Sequence, residues 1–331
     1  MVSTQTVNKL VVVGASAGGV RALSALARGL PEDFAAPVLV VLHIGAHTSL
    51  LAEILANAGP LPATQARDGE PIEAGRIYVG APDHHLMVLD DSLHLSRSAK
   101  EHHARPAIDP LFRSAALAYG AAVIGVLLTG RMDDGTAGLQ AIKACGGLAV
   151  VQDPAEAEEP DMPASALRHV DVDHTLTLEQ IPRLLSAAVA APRRAPSPPT
   201  PERLVHEQAV LLAKGDPMEH LTRFAKPSSF ACPDCHGALY EVRDAHPRRF
   251  RCHTGHGFTI RTLQNTLAEA SEEALWSARR ALQERLLLLR EIAADADNVI
   301  PVPRLEESQS RLDSQLAALE ALMPRSPDPV E

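Results

Sequence analysis

The sequence is poor in aromatic residues and cysteine, and it has no long hydrophobic run. Phe, Trp and Tyr make up 3% of its 331 residues, so the hydrophobic core must consist mostly of aliphatic side chains. No apolar run approaches the roughly 18 residues that a membrane helix needs, which argues against membrane insertion. The N-terminal segment MVSTQTVNKL lacks the apolar stretch of a signal peptide. Only four cysteines are present, so we expect a cytoplasmic protein without a disulfide framework.

Positive charge is also scarce. The formal net charge is −10 at pH 7, which disfavours generic binding to nucleic acids or anionic membranes as the main function. The length suggests two domains, or one large domain with an appendage.

Residues 1–190 are predicted to form an α/β domain. Apolar, β-branched runs such as KLVVVGA, PVLVVLHI and AAVIGVLLTG predict buried strands, and amphipathic segments between them predict helices. Regular alternation of the two predicts a doubly wound, mostly parallel sheet covered by helices on both faces. Such sheets bind ligands beyond the carboxyl ends of their strands.

The composition changes after residue 190, and three further segments are predicted. Residues 191–229, which include APRRAPSPPTPER, are interpreted as a Pro-rich, semi-rigid linker with a short helical segment. A long ordered surface loop is the alternative for this part. Residues 230–260 form a small module rich in Cys and His. Residues 261–323 predict a helical hairpin or coiled-coil-like tail, which would allow self-association.

The first strand ends in a glycine-rich turn around Ser16. The turn GASAGG is close to a dinucleotide-binding fingerprint, but the second strand ends in His43 rather than in the acid that would hold a ribose. An oxidoreductase is therefore disfavoured. Gly14-Ala15-Ser16-Ala17-Gly18 also fits G-x-S-x-G, in which a serine at a strand-to-helix turn is a nucleophile. Ser16 as a simple helix N-cap is the structural alternative.

A base and an acid are predicted at the same edge of the sheet. His43 follows the second strand, and Asp133 and Asp134 follow the strand of GVLLTGRMDDGTAGL. Serine needs a base to remove its proton, and the base needs an acid to orient it. Alternatively, His43 is a packed core residue and Asp134 caps the next helix.

Several motifs, taken in order, resemble one known family. They are GASAGGVRAL, VLHIGAHTSLLAEIL, DGEPIEAGRIYVGAPDHHL, RPAIDPLFRSAA, GVLLTGRMDDGTAGL, VVQDPAEAEEPDMPASAL and LEQIPRLL. Over residues 9–190 they resemble the catalytic domain of the bacterial chemotaxis protein-glutamate methylesterases (CheB). The resemblance implies hydrolysis of glutamate methyl esters on chemoreceptors or related signalling proteins, deamidation of glutamines, and a triad of Ser16, His43 and Asp134.

The resemblance also implies chemistry without a cofactor. The N–H groups of Ala17 and Gly18 are candidate donors to the oxyanion, and the turn at Gly130 and Arg131 is a second candidate. The familiar architecture places a phosphorylatable receiver domain first, whereas the catalytic strand here begins near residue 9. We therefore expect regulation from a separate regulatory protein or from the C-terminal part.

The sequence departs from the family pattern at two places. Ala17 stands where the family usually has threonine, and Arg131 and Met132 replace a methionine and a glycine of T-G-M-G-x-D-G. Arg131 either favours an acidic neighbour of the scissile ester or is a solvated surface residue. The runner-up hypothesis is a signalling scaffold or binding module with a degraded active site.

The C-terminal cysteines have the spacing of a zinc site. Cys232 and Cys235 form C-x2-C, and after a gap of 16 residues Cys252 and His256 form C-x3-H. Two such pairs suit a tetrahedral structural Zn2+, with His253 and His236 as alternative ligands. A redox C-x-x-C is the competing interpretation. The nearby Arg243, Arg248, Arg249 and Arg251 predict a basic surface patch, which is more often solvated than bound to nucleic acid.

Overall fold

The computed structural model describes residues 8–192, 198–295 and 299–323. The first seven residues of the N-terminal segment, residues 193–197 of the predicted linker and residues 296–298 of the predicted tail lie outside the described residues. The chain divides into two compact units, residues 1–263 and 264–331. The four segments predicted from composition thus differ from the structure, in which the Cys/His segment belongs to the same unit as the α/β sheet.

The described residues form strands β1–β13 and helices α1–α10. The strands are Leu10–Ala15, Val38–Leu42, Ala63–Gln65, Ile77–Val79, His85–Leu89, Ser92–Ser96, Val123–Leu127, Leu148–Gln152, His174–Leu176, Ala225–Ala231, Ala238–Val242, Arg249–Cys252 and Gly257–Thr259. The helices are Gly19–Gly29, Leu51–Ala58, Ile108–Tyr119, Thr136–Ala144, Asp161–His169, Ile181–Ala190, Glu202–Leu211, Pro217–Phe224, Ile260–Ala294 and Val302–Leu322.

The central sheet confirms the predicted α/β class. Its seven strands have the order β3-β4-β2-β1-β7-β8-β9, and all of its pairs are parallel. The strand order reverses between β1 and β7, because the chain builds outward from β1 on one side and from β7 on the other. The loops at the carboxyl ends of these strands part at such a point, which is where ligands bind.

The two faces of the sheet have separate cores. Along β1, Leu10 and Val12 belong to one core and Val11 and Val13 to the other, as the two-residue period of a strand requires. Side chains of α1, α2 and α6 fill one core, and side chains of α3, α4 and α5 fill the other. The sheet is therefore doubly wound, and its aliphatic cores agree with the low aromatic content.

Three short elements of this unit were not predicted. The strands β3 and β9 have three residues each, ATQ and HTL, and neither contains a buried residue. The helix α5, DMPASALRH, has only nine residues, and its buried positions include Ser165 as well as Met162, Pro163 and Ala166. Each of these elements depends on its neighbours, since its own sequence carries little periodic signal.

Residues 198–263 pack against the α/β part. Helices α7 and α8 form the short helical part of the predicted linker, and Leu204 of α7 is buried in the core beside α3. The strands β10-β11-β12-β13 make an antiparallel sheet with a small core of its own around Phe250 and Phe258. We call residues 225–259, which contain these four strands, the Cys/His module.

The second unit contains the predicted helical tail. Helices α9 and α10 bury Leu286, Leu305 and Leu312, and Arg279 of α9 pairs with Glu320 of α10. The two helices lie between residues 260 and 322, close to the 261–323 predicted for the tail. Among the described residues, no helix combines the length and the apolar character needed to cross a membrane.

Candidate active site

Ser16 lies directly after β1, at the turn into α1. Gly18 has a φ of 74° and caps the helix, a backbone conformation that favours glycine. A Cβ on Gly14 would lie 2.4 Å from Ile108, and one on Gly19 would lie 2.5 Å from Leu42. The small residues of GASAGG thus let a tight turn pack between two neighbours, and the turn leaves the Ser16 side chain partly exposed.

His43 bridges the serine and the buried acid. It follows β2, the neighbour of β1, and its Nδ1 lies 3.1 Å from Ser16 Oγ. Its Nε2 lies 2.7 Å from Asp134 Oδ2. With Nε2 protonated toward the carboxylate, Nδ1 is free to accept the serine proton. The structure therefore brings the three predicted residues into one hydrogen-bonded chain, in the order that a triad requires.

Asp134 is buried and held as a carboxylate. It accepts hydrogen bonds from the N–H groups of Ile108, Asp109 and Gly135 at 2.7, 3.0 and 2.8 Å. Two of these donors belong to the first turn of α3, whose dipole favours negative charge. Burial raises the pKa of Asp134, but the charge of His102 and the hydrogen bonds from His43 and Ile108 outweigh it and lower the pKa to about 2.

Of the four predicted oxyanion residues, Ala17 and Gly18 keep that possibility and Gly130 does not, whereas the side chain of Arg131 is exposed. No acceptor among the described residues takes the N–H groups of Ala17 and Gly18, which precede α1. The N–H of Gly130, by contrast, donates to the Glu159 carbonyl at 2.9 Å. A Cβ on Gly130 would lie 2.8 Å from that of Ser16, so Gly130 provides space beside the nucleophile rather than a hydrogen bond.

Arg131 faces solvent beside this turn. Its side chain is 70% exposed and its Nη2 lies 2.7 Å from Glu159 Oε1. A groove of about 600 Å³ opens on the other side of the turn, and Arg21 and Glu158 pair with each other at its wall. Charged groups of both signs therefore lie near the turn that follows Ser16. The lining residues of this groove are Gly18, Val20, Arg21, Ala22, Ser24, Ala25, Arg28, Thr129, Gln152, Glu156, Glu158 and Leu178.

Sequence reasoning missed a second histidine at the triad acid. His102 is buried, and its Nε2 lies 2.9 Å from Asp109 Oδ2 and 3.6 Å from Asp134 Oδ1. Asp109 lies inside the motif RPAIDPLFRSAA, which was recognised, but only the fold shows that the residues before it reach the triad. An unusual run of charged and His residues, KEHHAR, was the one local signal available.

The predicted zinc ligands gather in the Cys/His module. The ligand atoms of Cys232, Cys235, Cys252 and His256 all lie within 4.8 Å of one another, and the group includes neither His236 nor His253. The four cysteines of the chain are free thiols. A tetrahedral ion with Zn–S bonds of about 2.3 Å separates two sulfurs by about 3.8 Å. Cys235 Sγ and Cys252 Sγ lie 3.7 Å apart, so the donor set fits zinc.

The basic surface patch predicted near the zinc ligands does not form. Arg249 and Arg251 are buried, and they pair with Glu207 and Glu101 respectively. Arg243 and Arg248 remain exposed. Local composition could not show this outcome, because the two carboxylates come from distant parts of the chain.

Comparisons with known proteins agree with this geometry. The family model described as CheB methylesterase matches residues 11–185. Protein-glutamate methylesterase/protein-glutamine glutaminase 2 of Anaeromyxobacter dehalogenans (strain 2CP-C) is 43% identical over 178 residues, which are 54% of this chain and 52% of that protein. The chain thus spans about half the length of this relative.

Two further matches cover nearly the whole of the matched protein. A protein of Leptospira interrogans serogroup Icterohaemorrhagiae serovar copenhageni, named as a candidate for the same two activities, is 40% identical over 53% of this chain and 91% of its own length. The crystal structure of the Thermotoga maritima CheB methylesterase catalytic domain has a TM-score of 0.52 and 34% identity, over 54% of this chain and 98% of that one. By its sequence, its parallel sheet and the residues at the ends of β1 and β2, the chain belongs to the CheB methylesterase family.

Proposed function

We propose that the protein is a serine carboxyl-esterase that hydrolyses glutamate methyl esters, and deamidates glutamines, on chemoreceptors or related signalling proteins. The observation that carries the proposal is the hydrogen-bonded chain from Ser16 through His43 to the buried carboxylate of Asp134. The groove is lined in part by Gly18, two residues after Ser16, and it offers room for a polypeptide segment. The names of the curated relatives agree with both activities.

The chemistry follows from the order of these groups. His43 Nδ1 accepts the proton of Ser16 Oγ as the oxygen attacks the ester carbonyl, and Asp134 stabilises the imidazolium that forms. The N–H groups of Ala17 and Gly18 stabilise the oxyanion. His43 then gives its proton to the leaving methoxide, and methanol departs. Water, deprotonated by His43, attacks the acyl-enzyme and releases a glutamate side chain and free Ser16. A glutamine substrate loses ammonia in the first half of the same cycle.

The test of this proposal is methanol release from a methylated receptor. The wild-type protein should release methanol, and Ser16→Ala should abolish the enzymatic release because the nucleophile is gone. Ser186→Ala is a matched control, since Ser186 lies on α6, outside the groove, and donates to the Pro182 carbonyl. Equal release by wild type and Ser16→Ala would overturn the esterase and favour the binding module.

We also propose that Cys232, Cys235, Cys252 and His256 hold a structural Zn2+. A small antiparallel module gains much of its stability from such an ion. Metal analysis should find one zinc per chain in the wild type and much less in Cys232→Ser. Cys145→Ala should keep its zinc, because Cys145 lies buried at the end of α4, away from the cluster. An unchanged zinc content in Cys232→Ser would refute the proposed zinc site.

Partners and location remain predictions. A separate regulatory protein, self-association through α9 and α10, and a cytoplasmic location are consistent with the described residues. Exposed leucines on α9, among them Leu287 and Leu288, offer an apolar surface for association. Sedimentation of the full chain would measure self-association directly.

A further inference from the structure

His102 lies among three carboxylates next to the triad. Its Nε2 is 2.9 Å from Asp109 Oδ2 and 3.6 Å from Asp134 Oδ1, and its Nδ1 is 3.9 Å from Asp133 Oδ1. The carboxylate of Asp134 thus meets two imidazoles, with His43 on Oδ2 and His102 on the side of Oδ1. Only His43 has a role in the reaction proposed above.

The Cys/His module holds His102 in this position. His102 has a φ of 54°, an uncommon value for a residue with a side chain. Its N–H donates to the carbonyl of Gly257 in β13 at 2.7 Å, and Glu101 forms a bridge with the same glycine. Backbone pairing with the module therefore stabilises a conformation that the loop would rarely adopt by itself.

Two threonines at the start of α9 complete the contact. Thr262 Oγ1 lies 3.4 Å from His102 Nδ1 and 3.2 Å from Asp133 Oδ1. Thr259 Oγ1 donates to the same oxygen of Asp133 at 2.9 Å. A doubly protonated His102 can donate through Nε2 to Asp109 and through Nδ1 to Thr262, whose hydroxyl then donates to Asp133. All the hydrogen-bonding atoms of the imidazole have partners in this arrangement.

The cluster of Glu101, His102 and Asp109 has neighbouring charged groups that take the place a metal ion would have. Glu101, His102 and Asp109 approach one another closely enough to share an ion. However, the carboxylate of Glu101 already pairs with the guanidinium groups of Arg113 and Arg251. The imidazolium of His102 offsets part of the negative charge of Asp109, Asp133 and Asp134. The cluster is therefore an ion-pair network rather than a metal site.

We propose that His102 is a positioning residue for the reaction: as a fixed cation on the far side of Asp134, held by Gly257 and Thr262, it keeps the triad carboxylate charged and aimed at His43. The C-terminal module thereby completes the active site of the α/β part. The inference rests on the proposed function, but it assigns a role to residues outside the triad.

The charges around His102 support this role. Burial lowers the pKa of His102, but the charge of Asp134 and the hydrogen bond to Asp109 outweigh it and raise the pKa to about 10. Burial and the charge of Asp134 raise the pKa of Asp109. Without the cation, Asp109 and Asp134 would meet as like charges in a buried site, and one of them would take up a proton. The titratable or charged groups that face His102 directly or through one neighbour are Asp109, Asp133, Asp134, Glu101, His43, His85, Arg113 and Arg251.

The test measures Ser16 reactivity in the full-length protein with a fluorophosphonate probe, alongside methanol release. His102→Gln keeps a donor near Asp109 but removes the charge. We expect the labelling rate and kcat to fall about tenfold to a hundredfold, with KM changed less than about twofold. The acid limb of the labelling rate should also move to higher pH. A role in folding alone would lower the apparent kcat through the fraction of folded protein, but it would leave the pH profile of the folded molecules unchanged.

Thr262 gives an independent variant with a conservative rescue. Thr262→Val should lower the labelling rate by less than His102→Gln, and Thr262→Ser should restore it, since serine keeps the hydroxyl. His94→Gln is the control, because His94 lies on β6, away from the triad, and pairs with Asp68. A His102→Gln variant with the wild-type labelling rate and pH profile would overturn the inference. Probe labelling without methanol release would instead refute the methylesterase while still testing His102.

Discussion

Because Gly130 has no side chain, Ser16 has room beside it. The Cβ of any other residue there would lie 2.3 Å from Met162 Sδ and 2.8 Å from Ser16 Cβ. Contacts this short require the serine turn or α5 to shift. The glycine of the T-G motif therefore has a steric role, which its place in the sequence did not distinguish from a hydrogen-bonding one.

We accordingly expect Gly130→Ala to damage catalysis more than folding. Displacing Ser16 by a fraction of an ångström should lower kcat by about a hundredfold, at a stability cost of about 1–3 kcal/mol. Gly80→Ala is the matched control, because its Cβ would meet nothing closer than 3.5 Å. Methanol release and urea unfolding of both variants measure the two effects. Wild-type kcat in Gly130→Ala would show that the turn has more freedom than the packing suggests.

At the scale of elements, buried ion pairs connect α3 of the α/β part, α7 and the Cys/His module within the first unit. Glu207 of α7 pairs with Arg249 of β12 at 2.9 Å and with Arg113 of α3 at 3.5 Å. Burial raises the pKa of Glu207, but the charges of Arg249 and Arg113 outweigh it and lower the pKa to about 2. Buried pairs of this kind contribute little net energy when intact but are costly to break.

Glu207→Gln should therefore lower the free energy of unfolding by about 3–5 kcal/mol at pH 7. Glu241→Gln should cost less than about 1 kcal/mol, because its partners Arg248 and Lys226 are exposed. Urea unfolding compares the two variants. Equal losses would mean that the buried network contributes no more than a surface pair.

The buried carboxylate of Glu207 should also make the free energy of unfolding depend on pH. The folded-state pKa of Glu207 lies below its unfolded value of 4.5, so the unfolded chain binds more protons between the two values. The stabilisation is complete above the unfolded pKa and is lost as the pH falls through about 2. The wild type should lose more unfolding free energy between pH 5 and pH 3 than Glu207→Gln does. Parallel slopes for the two proteins would contradict this assignment.

At the scale of the whole molecule, the Cys/His cluster proposed to hold zinc and the proposed triad belong to one compact unit of residues 1–263. Asp234, next to the proposed ligand Cys235, pairs with His103 in the loop that also carries His102. Loosening of the module should thus reach the active site.

Chelation of the metal should therefore lower activity as well as stability. We expect an excess of chelator to decrease the labelling rate of Ser16 and the melting temperature together, with added Zn2+ restoring both. Ca2+, which prefers oxygen ligands, should not restore them. The Cys232→Ser variant should be insensitive to the chelator. Full Ser16 reactivity in the metal-free protein would separate the module from catalysis.

Local patterns were sufficient for the parts of the protein that depend on neighbours in sequence. Apolar periodicity indicated the buried strands and the two long C-terminal helices, the strand ends indicated Ser16 and His43, and Cys spacing indicated four ligands that the fold brings together. The resemblance selected Asp134 over Asp133. The short strands β3 and β9 were not predicted, because three residues are too few to show a periodic pattern.

Tertiary structure alone decided how the C-terminal module meets the triad. Thr262 reaches Asp133 across 129 residues, and Arg249 reaches Glu207 across 42. No composition or spacing rule encodes such contacts, since they depend on how two sheets pack. The sequence predicted a linker, a metal site and a basic patch in this part of the chain, but in the structure it contacts the loop that carries His102. The charges of Arg249 and Arg251 are buried, and buried charges need partners, which are the carboxylates of Glu207 on α7 and Glu101 in the α/β part.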